Sequence, residues 1–143
     1  MVNVYHLIAK TFAGLEPVVA KEIEIIGGKS IKIGRRAVFY EGDLEVLYKS
    51  NYSLRTALRI LSRVKVFEFQ NVDQFYLKCK QVNWSRYFNV NQNFVVNSTV
   101  SYSREFANTM FASLKVKDAV ADYFREKLGK RPNVDVQNPD IVI

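Results

Sequence analysis

The order of hydrophobic periodicities in the first half of the chain constrains the fold more than any other feature. Apolar residues that alternate every second position indicate strands, and recurrence every three to four residues indicates helices. Read this way, the first half follows the order β-α-β-β-α-β. This order is the ferredoxin-like arrangement, and we predict such a subdomain for residues 1–69. The predicted elements are strands at residues 2–9, 30–33, 37–40 and 58–69, and helices at residues 14–26 and 44–48.

Local signals predict where these two helices begin and end. Gly27 and Gly28 end the first helix, and Asp43 is a good N-cap for the second. The polar residues 50–53 are expected to form the connection after it. The face of the first helix that we expect to be buried consists of Leu15, Val18, Val19, Ile23 and Ile26.

The run from Leu58 to Phe69 admits two interpretations. As a helix, it would extend a stack of Arg55, Arg59 and Arg63 at four-residue steps. As a strand, it would place Arg59 and Arg63 on the face opposite its apolar residues. Alternation and β-branched content favour the strand. Both interpretations collect the cations on one side.

The second half of the chain mixes short helices, strands and one long helix, so the chain as a whole is predicted to be α+β. Ser113 is a plausible N-cap for the long helix, and Gly129 supplies the residue that ends it. Its buried stripe is predicted to contain Val116, Val120, Tyr123, Phe124 and Leu128. The remaining predicted elements are one or two short helices within residues 70–92 and strands at residues 93–102, 134–136 and 140–143.

Charge indicates the chemistry of the partner. The chain has 21 Lys and Arg against 14 Asp and Glu, a formal net charge of +7, and the excess is spread along its length. Such a surface favours an acidic partner, and nucleic acid over a membrane. Core packing accounts for the aromatic residues, including Phe39 and Trp84, so if the partner is RNA we expect contacts to its backbone more than to its bases.

Five cations are predicted to gather around the long helix and the loop that leaves it, and they are the primary candidates for phosphate contacts. Arg55 and Arg59 are secondary candidates. The equal alternative is that these two arginines hold the two subdomains together through ion pairs with carboxylates. The alternative for the helix is a solvated face whose cations favour the helix dipole. The five primary candidates are Lys115, Lys117, Arg125, Lys130 and Arg131.

The sequence contains no recognisable catalytic site. His6 is the only histidine and Cys79 the only cysteine, so neither a histidine-based triad nor a zinc site has its residues. His6 is expected to be structural or at the surface, and Cys79 a partly buried structural thiol. Asp118 and Asp122 are one helical turn apart but carry like charges on an exposed face. The Asn-Pro-Asp turn at residues 138–140 lacks the second proline and the aromatic ring of the methyltransferase loop it resembles.

The sequence shows no signal peptide and no apolar run long enough to span a membrane, so the cytoplasm is the expected compartment. The chain ends on an apolar strand without a polar tail. We therefore expect it to be part of a longer protein, and a natural edge strand is the alternative.

Several segments together resemble the THUMP-domain RNA methyltransferases of the large-subunit ribosomal RNA guanine-N2 type. Each motif is weak alone, but their order and spacing are fairly specific, and they cover nearly the whole chain. The segments are Phe12-Ala13-Gly14-Leu15-Glu16 with Glu22 and Gly27, Leu54 to Arg59 with Phe67, Trp84, Phe94 to Thr99, Lys115 to Asp122, Gly129 to Asp135, and Pro139-Asp140.

The resemblance implies a ferredoxin-like subdomain at residues 1–69 and a THUMP domain, incomplete at its C-terminus, at residues 70–143. In that family these regions precede a Rossmann-type domain that uses S-adenosylmethionine, and the THUMP domain helps to capture RNA. The chain itself has no methyl-donor site, so the resemblance implies an RNA-targeting fragment without catalytic residues. Its implied partner is large-subunit ribosomal RNA, with no membrane and no metal.

Two other classes of function stay open. One is a basic structural or protein-interaction domain that stands alone. The other is an enzyme with an unrecognised site, which the shortage of histidines and paired carboxylates disfavours.

Overall fold

The computed structural model describes residues 3–143, and the chain divides into two compact units. The first extends to Val66 and the second runs from Phe67 to Ile143. This division follows from how the chain packs in the structure. The assignment of domains with a boundary after residue 69 stays a prediction.

The first unit has the predicted element order and is a ferredoxin-like fold. Its four strands form one sheet in the order β2-β3-β1-β4, and each neighbouring pair is antiparallel. The start of the first predicted strand, Val2, lies outside the described residues. The elements are β1 (Tyr5–Lys10), α1 (Glu16–Ile25), β2 (Lys29–Gly34), β3 (Ala37–Gly42), α2 (Leu44–Ser53) and β4 (Arg59–Ser62).

Side chains near the helix ends satisfy backbone N–H groups that would otherwise lack partners. Asp43 caps α2 as predicted, because its Oδ1 accepts a hydrogen bond from Val46 N at 2.9 Å. At α1, the carboxylate of Glu16 accepts from Gly14 N at 2.7 Å and from Arg36 N at 2.8 Å. Glu16 therefore ties the start of α1 to the β2–β3 turn.

The core of this unit lies between one face of the sheet and the two helices. Val19 and Ile23 of α1 are buried, but Val18, predicted to share their face, is 45% exposed. The prediction for Val18 was wrong because the helix buries a narrower stripe than the sequence suggested. The sheet contributes Leu7, Ala9, Val38 and Tyr40 to this core, and α2 contributes Val46.

The polar residues 50–53, predicted to form a connection, are instead the last turn of α2. Ser50 is buried there, and its hydroxyl donates to Val46 O at 2.7 Å and accepts from Tyr40 Oη at 2.7 Å. Because both roles of the hydroxyl are satisfied, a serine can occupy a buried helical position.

The run from Leu58 forms a strand, not a helix, but only Arg59–Ser62 belong to β4. Backbone hydrogen bonds at both ends extend the pairing with β1, from Leu58 N to Lys10 O and from Arg63 N to His6 O, each 2.8 Å. Since β1 begins at Tyr5 and the two strands are antiparallel, the chain beyond Arg63 runs past the start of its partner strand. The prediction of a strand to residue 69 was therefore too long.

Phe39, expected in the core, lies on the other side of the sheet and is 40% exposed. Its neighbours Val38 and Tyr40 point at the helices, and successive side chains of a strand face opposite ways. All three residues are apolar or aromatic, so their sequence does not show which of them faces the helices.

The second unit is a separate α/β arrangement around a long helix. It consists of α3 (Val72–Lys80), a 3-10 turn (Trp84–Arg86), β5 (Phe94–Val95), α4 (Thr109–Leu128) and β6 (Ile141–Val142). The two strands pair in parallel.

The strands of the second unit are shorter than predicted. Of the predicted residues 93–102 only two form β5, and Tyr102 has a positive φ of 53° and is fully exposed. Pairing continues from β5 to Asn97, whose N–H donates to Ile143 O at 2.8 Å, and residues 98–102 pair with no strand in the described part of the chain. The strand predicted at residues 134–136 is reduced to one bridge between Val134 and Phe94.

Helix α4 begins four residues before the predicted N-cap. Asn108 caps it, with its Oδ1 accepting from Phe111 N at 2.8 Å, whereas the Ser113 hydroxyl bonds to the Ser98 hydroxyl at 2.8 Å. Asparagine and serine are both good N-caps, so the composition did not decide between them. The predicted end at Gly129 is confirmed, because its φ of 68° is left-handed and its N–H donates to Arg125 O at 2.9 Å.

The core of the second unit contains the central part of the predicted stripe. Val120, Tyr123 and Phe124 are buried, whereas Leu128 is 57% exposed because it lies in the last turn. Trp84 and Cys79 are buried as expected, and Trp84 Nε1 donates to Cys79 O at 3.0 Å. No helix of the described residues is both long enough and apolar enough to cross a membrane.

Candidate nucleic-acid interface

The structure places all five primary candidates at exposed or half-exposed positions along α4 and its exit, on more than one side of the helix. Lys115 and Lys117 lie in its middle, Arg125 in its last turn, and Lys130 and Arg131 in the loop after Gly129. The remaining candidates, Arg55 and Arg59, belong to the first unit.

Asp122 brings two of the arginines together. Its Oδ1 lies 3.0 Å from Nη2 of Arg125, one helical turn away, and 2.8 Å from Nη2 of Arg131. Because Gly129 ends the helix in a left-handed conformation, the following loop can bring Arg131 back to this carboxylate. The side chain of Asp122 is only 17% exposed, whereas those of both arginines are 53% exposed.

Tyr76 of α3 holds Asp122 from the other side. Its hydroxyl donates to Asp122 Oδ2 at 2.5 Å. This hydrogen bond is the main cause of a lowered pKa of Asp122; Arg125 and Arg131 lower it further, and burial opposes them. The same bond raises the pKa of Tyr76 to about 12. Asp122 is therefore ionised at neutral pH and fixed in position.

This arrangement leaves the arginines able to bind an anion. A guanidinium has five N–H donors, and the contact to Asp122 occupies one nitrogen of each arginine. Two positive charges against one negative charge leave the trio with a net charge of +1. The guanidinium groups are thus held in place with donors still facing solvent, which suits bidentate contacts to phosphate.

The two lysines in the middle of α4 do not face the same way. They are two residues apart, which separates them by about 200° around the helix axis. Lys117 Nζ lies 3.1 Å from Asp118 Oδ1, whereas Lys115 Nζ lies 5.6 Å from the centre of the Phe111 ring. One surface of α4 therefore cannot present both.

Lys130 lies in the exit loop with its ammonium exposed to solvent. Its Nζ donates to Asn91 Oδ1 at 2.8 Å, a neutral partner that leaves its charge uncompensated. Within residues 3–143, Lys130 is the one primary candidate whose hydrogen-bonding partner is an uncharged amide.

In the first unit, Glu22 holds the backbone around Arg55. The carboxylate accepts from Arg55 N at 3.4 Å and from the N–H and hydroxyl of Thr56 at 3.3 and 2.7 Å. Arg59 lies in β4, opposite Lys10 of β1. Both arginine side chains are exposed, and neither forms an ion pair within residues 3–143.

The sequence reasoning missed the residues that organise this surface. Tyr76 and Asp122 received no role, although the i, i+3 spacing of Asp122 and Arg125 signals an ion pair. Lys127 was also missed, and its Nζ donates to Tyr123 Oη at 2.9 Å, one turn away. Burial raises the pKa of Tyr123, but the hydrogen bonds from Lys127 and Ser85 outweigh it, and the net pKa is lowered.

The single histidine and the single cysteine of the sequence lie in different units. His6 Nδ1 lies 3.2 Å from Glu41 Oε1 on the surface of the first unit, and Cys79 is buried in the second. Within residues 3–143 no group of three His, Cys, Asp or Glu side chains could hold a metal ion.

Two family matches divide the chain between them. Residues 6–61 match the ferredoxin-like domain family of RlmL, and residues 69–143 match the THUMP domain family. These matches confirm the resemblance on which the sequence analysis relied.

Two curated relatives extend this similarity over almost the whole chain. Both are the protein "Ribosomal RNA large subunit methyltransferase K/L" of Buchnera aphidicola. That of subspecies Schizaphis graminum is 32% identical over 138 residues, and that of subspecies Acyrthosiphon pisum is 36% identical over 139 residues. Each alignment covers 96% of this chain but only 20% and 19% of the relatives. The chain thus spans about a fifth of their length.

Among solved structures, the chain resembles a predicted N6-adenine-specific DNA methylase from Listeria monocytogenes. The TM-score is 0.79 at 29% sequence identity. The superposition covers 87% of this chain and 32% of the methylase. Here too, this chain corresponds to about a third of a longer protein.

Proposed function

The chain belongs to the THUMP-domain family, and we propose that it is the RNA-binding and targeting part of an S-adenosylmethionine-dependent ribosomal RNA methyltransferase. The observation that carries this proposal is the match of 96% of the chain to about a fifth of two large-subunit ribosomal RNA methyltransferases. The two proposed domains, a ferredoxin-like domain at residues 1–69 and a THUMP domain at residues 70–143, would then position RNA for a catalytic region elsewhere in the protein.

The residues of this chain do not fit the methyl donor. Sites for such cofactors use a glycine-rich turn between a parallel strand and a helix, where the absent side chains make room for the ligand. The turn between β1 and α1 has only one glycine, Gly14, and β1 belongs to an antiparallel sheet. A Cβ added at Gly14 would meet no atom within 4 Å. No step of methyl transfer is therefore assigned to these residues.

The primary RNA contacts in this proposal are made by the cations of α4 and its exit loop. Asp122 fixes Arg125 and Arg131 before RNA arrives, so less side-chain freedom is lost on binding. Lys117 and Lys130 extend the same basic surface, and Lys115 contributes from another side of the helix. Arg55 and Arg59 are secondary contacts in the first unit.

These contacts address phosphates, so they recognise the shape of a folded RNA more than its sequence. Large-subunit ribosomal RNA is the proposed partner because both curated relatives are named for it. We propose the cytoplasm as the compartment, because the proposed partner is ribosomal RNA.

The experiment that tests this proposal measures the salt dependence of RNA binding. A fluorescein-labelled RNA hairpin is titrated with the 143-residue chain between about 50 and 200 mM KCl. The double variant K117Q/K130Q is compared with K21Q/K49Q, which removes the same charge from exposed helix positions of the first unit.

We expect K117Q/K130Q to reduce the slope of log K against log salt by about 1.4 to 1.8, because each lost phosphate contact removes about 0.7 to 0.9. The control variant should leave the slope unchanged. Equal effects of the two variants would refute the site assignment. Binding to a protein partner that ignores salt, without RNA binding, would favour the interaction-domain alternative.

A further inference from the structure

The face of the four-stranded sheet that points away from α1 and α2 carries an exposed aromatic ring at its centre. Leu7, Ala9, Val38 and Tyr40 fill the helix side, so the alternate residues of β1 and β3 point the other way. We call this second side the open face. Phe39 lies on β3, one of the two central strands, and is 40% exposed.

An apolar row crosses the open face at this ring. Phe39 pairs with Ile8 of β1, and Ile8 pairs with Leu61 of β4, which is 38% exposed. On the other side Phe39 pairs with Lys32 of β2. Exposed apolar side chains in one row at the middle of a sheet offer a flat surface on which another planar group can stack.

The ring is held close to the sheet by the absence of a side chain at Gly34. A Cβ built at Gly34 would lie 2.7 Å from Cε2 of Phe39, so the ring occupies the space above this glycine. Lying over Gly34, Phe39 leaves a depression of about 150 Å³ next to it, lined by His6, Ser30 and Glu41 among others.

Cations frame the apolar row on both sides. Lys10 and Arg59 pair with each other across β1 and β4 on one side of it. Arg63 donates its N–H to His6 O on the other side, and Lys32 lies at the end of the row. None of these four cations forms an ion pair within residues 3–143.

The acidic group on this face is already occupied. The Glu41 carboxylate lies 3.2 Å from Nδ1 of His6 and accepts from the Ser30 hydroxyl at 2.9 Å. Four unpaired cations against one satisfied carboxylate make the open face complementary to a polyanion.

We infer that the open face of the first unit binds single-stranded RNA, with one base stacked on Phe39 and neighbouring phosphates held by Lys10, Lys32, Arg59 and Arg63. Aromatic stacking within a basic surface is the general physical basis of single-strand binding, because every base has a π-face. The ligand, RNA, rests on the proposed function. The open face is a second site, distinct from the α4 cations, which recognise folded RNA by its phosphates.

Phe39 is tested with two RNA probes, a fluorescein-labelled single-stranded oligonucleotide and the hairpin used for α4. The variant F39L keeps an apolar side chain but loses the ring, and F39Y keeps the ring. Y52A is the matched control, because it removes a 94% exposed aromatic residue of α2. Because Phe39 is partly exposed, F39L should fold, and circular dichroism checks this.

We expect F39L to weaken binding of the single strand about tenfold and to leave the hairpin unaffected. F39Y and Y52A should bind both probes as the unmodified chain does. A direct signal comes from F39W, whose fluorescence should be quenched when a base stacks on it. The unmodified chain, with its buried Trp84, should show no such quenching.

The results that would overturn the inference differ from those that would overturn the proposed function. Hairpin binding that depends on Lys117 and Lys130, with equal single-strand affinity of F39L and F39Y, would overturn only the stacking site. A chain that binds neither RNA would overturn both. If F39L instead separated a dimer into monomers with unchanged RNA affinity, the open face would be covered by a second copy, and the inference would be wrong.

Discussion

The two units hold their cations in different ways. In the second unit, Arg125 and Arg131 share Asp122, and Lys117 contacts Asp118. On the open face of the first unit, by contrast, no carboxylate of the described residues forms an ion pair with any of the four cations Lys10, Lys32, Arg59 and Arg63.

This difference teaches that positive charge alone does not define an RNA-binding surface. Cations held by a partly buried carboxylate keep a fixed geometry, which suits the regular phosphates of a folded RNA. Unpaired cations around an exposed ring can adapt to a flexible strand, which suits stacking. We therefore expect changes at Asp122 to alter stability, and changes at Phe39 to alter only binding.

The largest effect on stability is expected from Asp122→Asn, which removes the charge that holds both arginines. Hydrogen bonds to charged groups contribute about 1.5 to 3 kcal/mol, and we expect the free energy of unfolding of the second unit to fall by about 2 kcal/mol. Trp84 is the only tryptophan and is buried in this unit, so urea unfolding followed by its fluorescence measures the change.

The matched control for this variant is Asp118→Asn on the same helix. The side chain of Asp118 is 52% exposed and forms an ion pair with Lys117, so we expect a loss of less than about 0.5 kcal/mol. Equal losses from the two variants would show that Asp122 does not anchor the second unit, and the contrast between the units would fail.

A smaller effect is expected at Gly129, which turns the chain so that Arg131 returns to Asp122. Its φ of 68° is left-handed, and no atom lies within 4 Å of an added Cβ, so a substitution there costs backbone strain and not steric overlap. We expect Gly129→Ala to lower the free energy of unfolding by about 1 kcal/mol and Gly129→Asn by less, because asparagine tolerates this conformation. An alanine variant as stable as the asparagine variant in the same urea experiment would argue against this role.

The smallest effect is spectroscopic and concerns the pair of Tyr76 and Asp122. The pKa of Tyr76 is about 12, above its ordinary value of 10.0, so the stability from this bond is complete below pH 10 and is lost as the pH rises through 12. The pKa of Asp122 is lowered, so its contribution is present above about pH 4 and is lost on further acidification.

Subtracting the phenolate absorbance of Y76F from that of the unmodified chain isolates this titration. We expect a transition near pH 12 that moves towards 10 when Asp122→Asn is present in both proteins. A transition at the ordinary value in the unmodified chain would mean that the hydrogen bond does not form in solution.

Much of the fold could be predicted because local signals and periodicity agree along much of the chain. Asp43 and Gly129 mark helix ends through backbone chemistry that depends on few neighbours. Phe39 could not be placed, because Val38, Phe39 and Tyr40 are all compatible with a core and only the position of the helices decides between faces. The length of β4 likewise depends on where its partner β1 begins.

The candidate site was predictable in composition but not in geometry. The cations around α4 follow from their positions near one helix and its exit. That Arg131 returns to Asp122, and that Tyr76 supports this carboxylate from α3, depends on contacts between residues far apart in sequence. Helical spacing alone separates Lys115 from Lys117, so the sequence already divides the predicted cluster.

The most direct test of the central claim, that two surfaces recognise two forms of RNA, follows backbone amide shifts of the 15N-labelled chain by NMR. The chain is titrated first with a hairpin and then with the same hairpin carrying a single-stranded tail. The account predicts that the hairpin shifts Lys117, Arg125 and Lys130, and that Lys32 and Phe39 shift only when the tail is present. Identical shifts for both RNAs, or shifts confined to other residues, would contradict it.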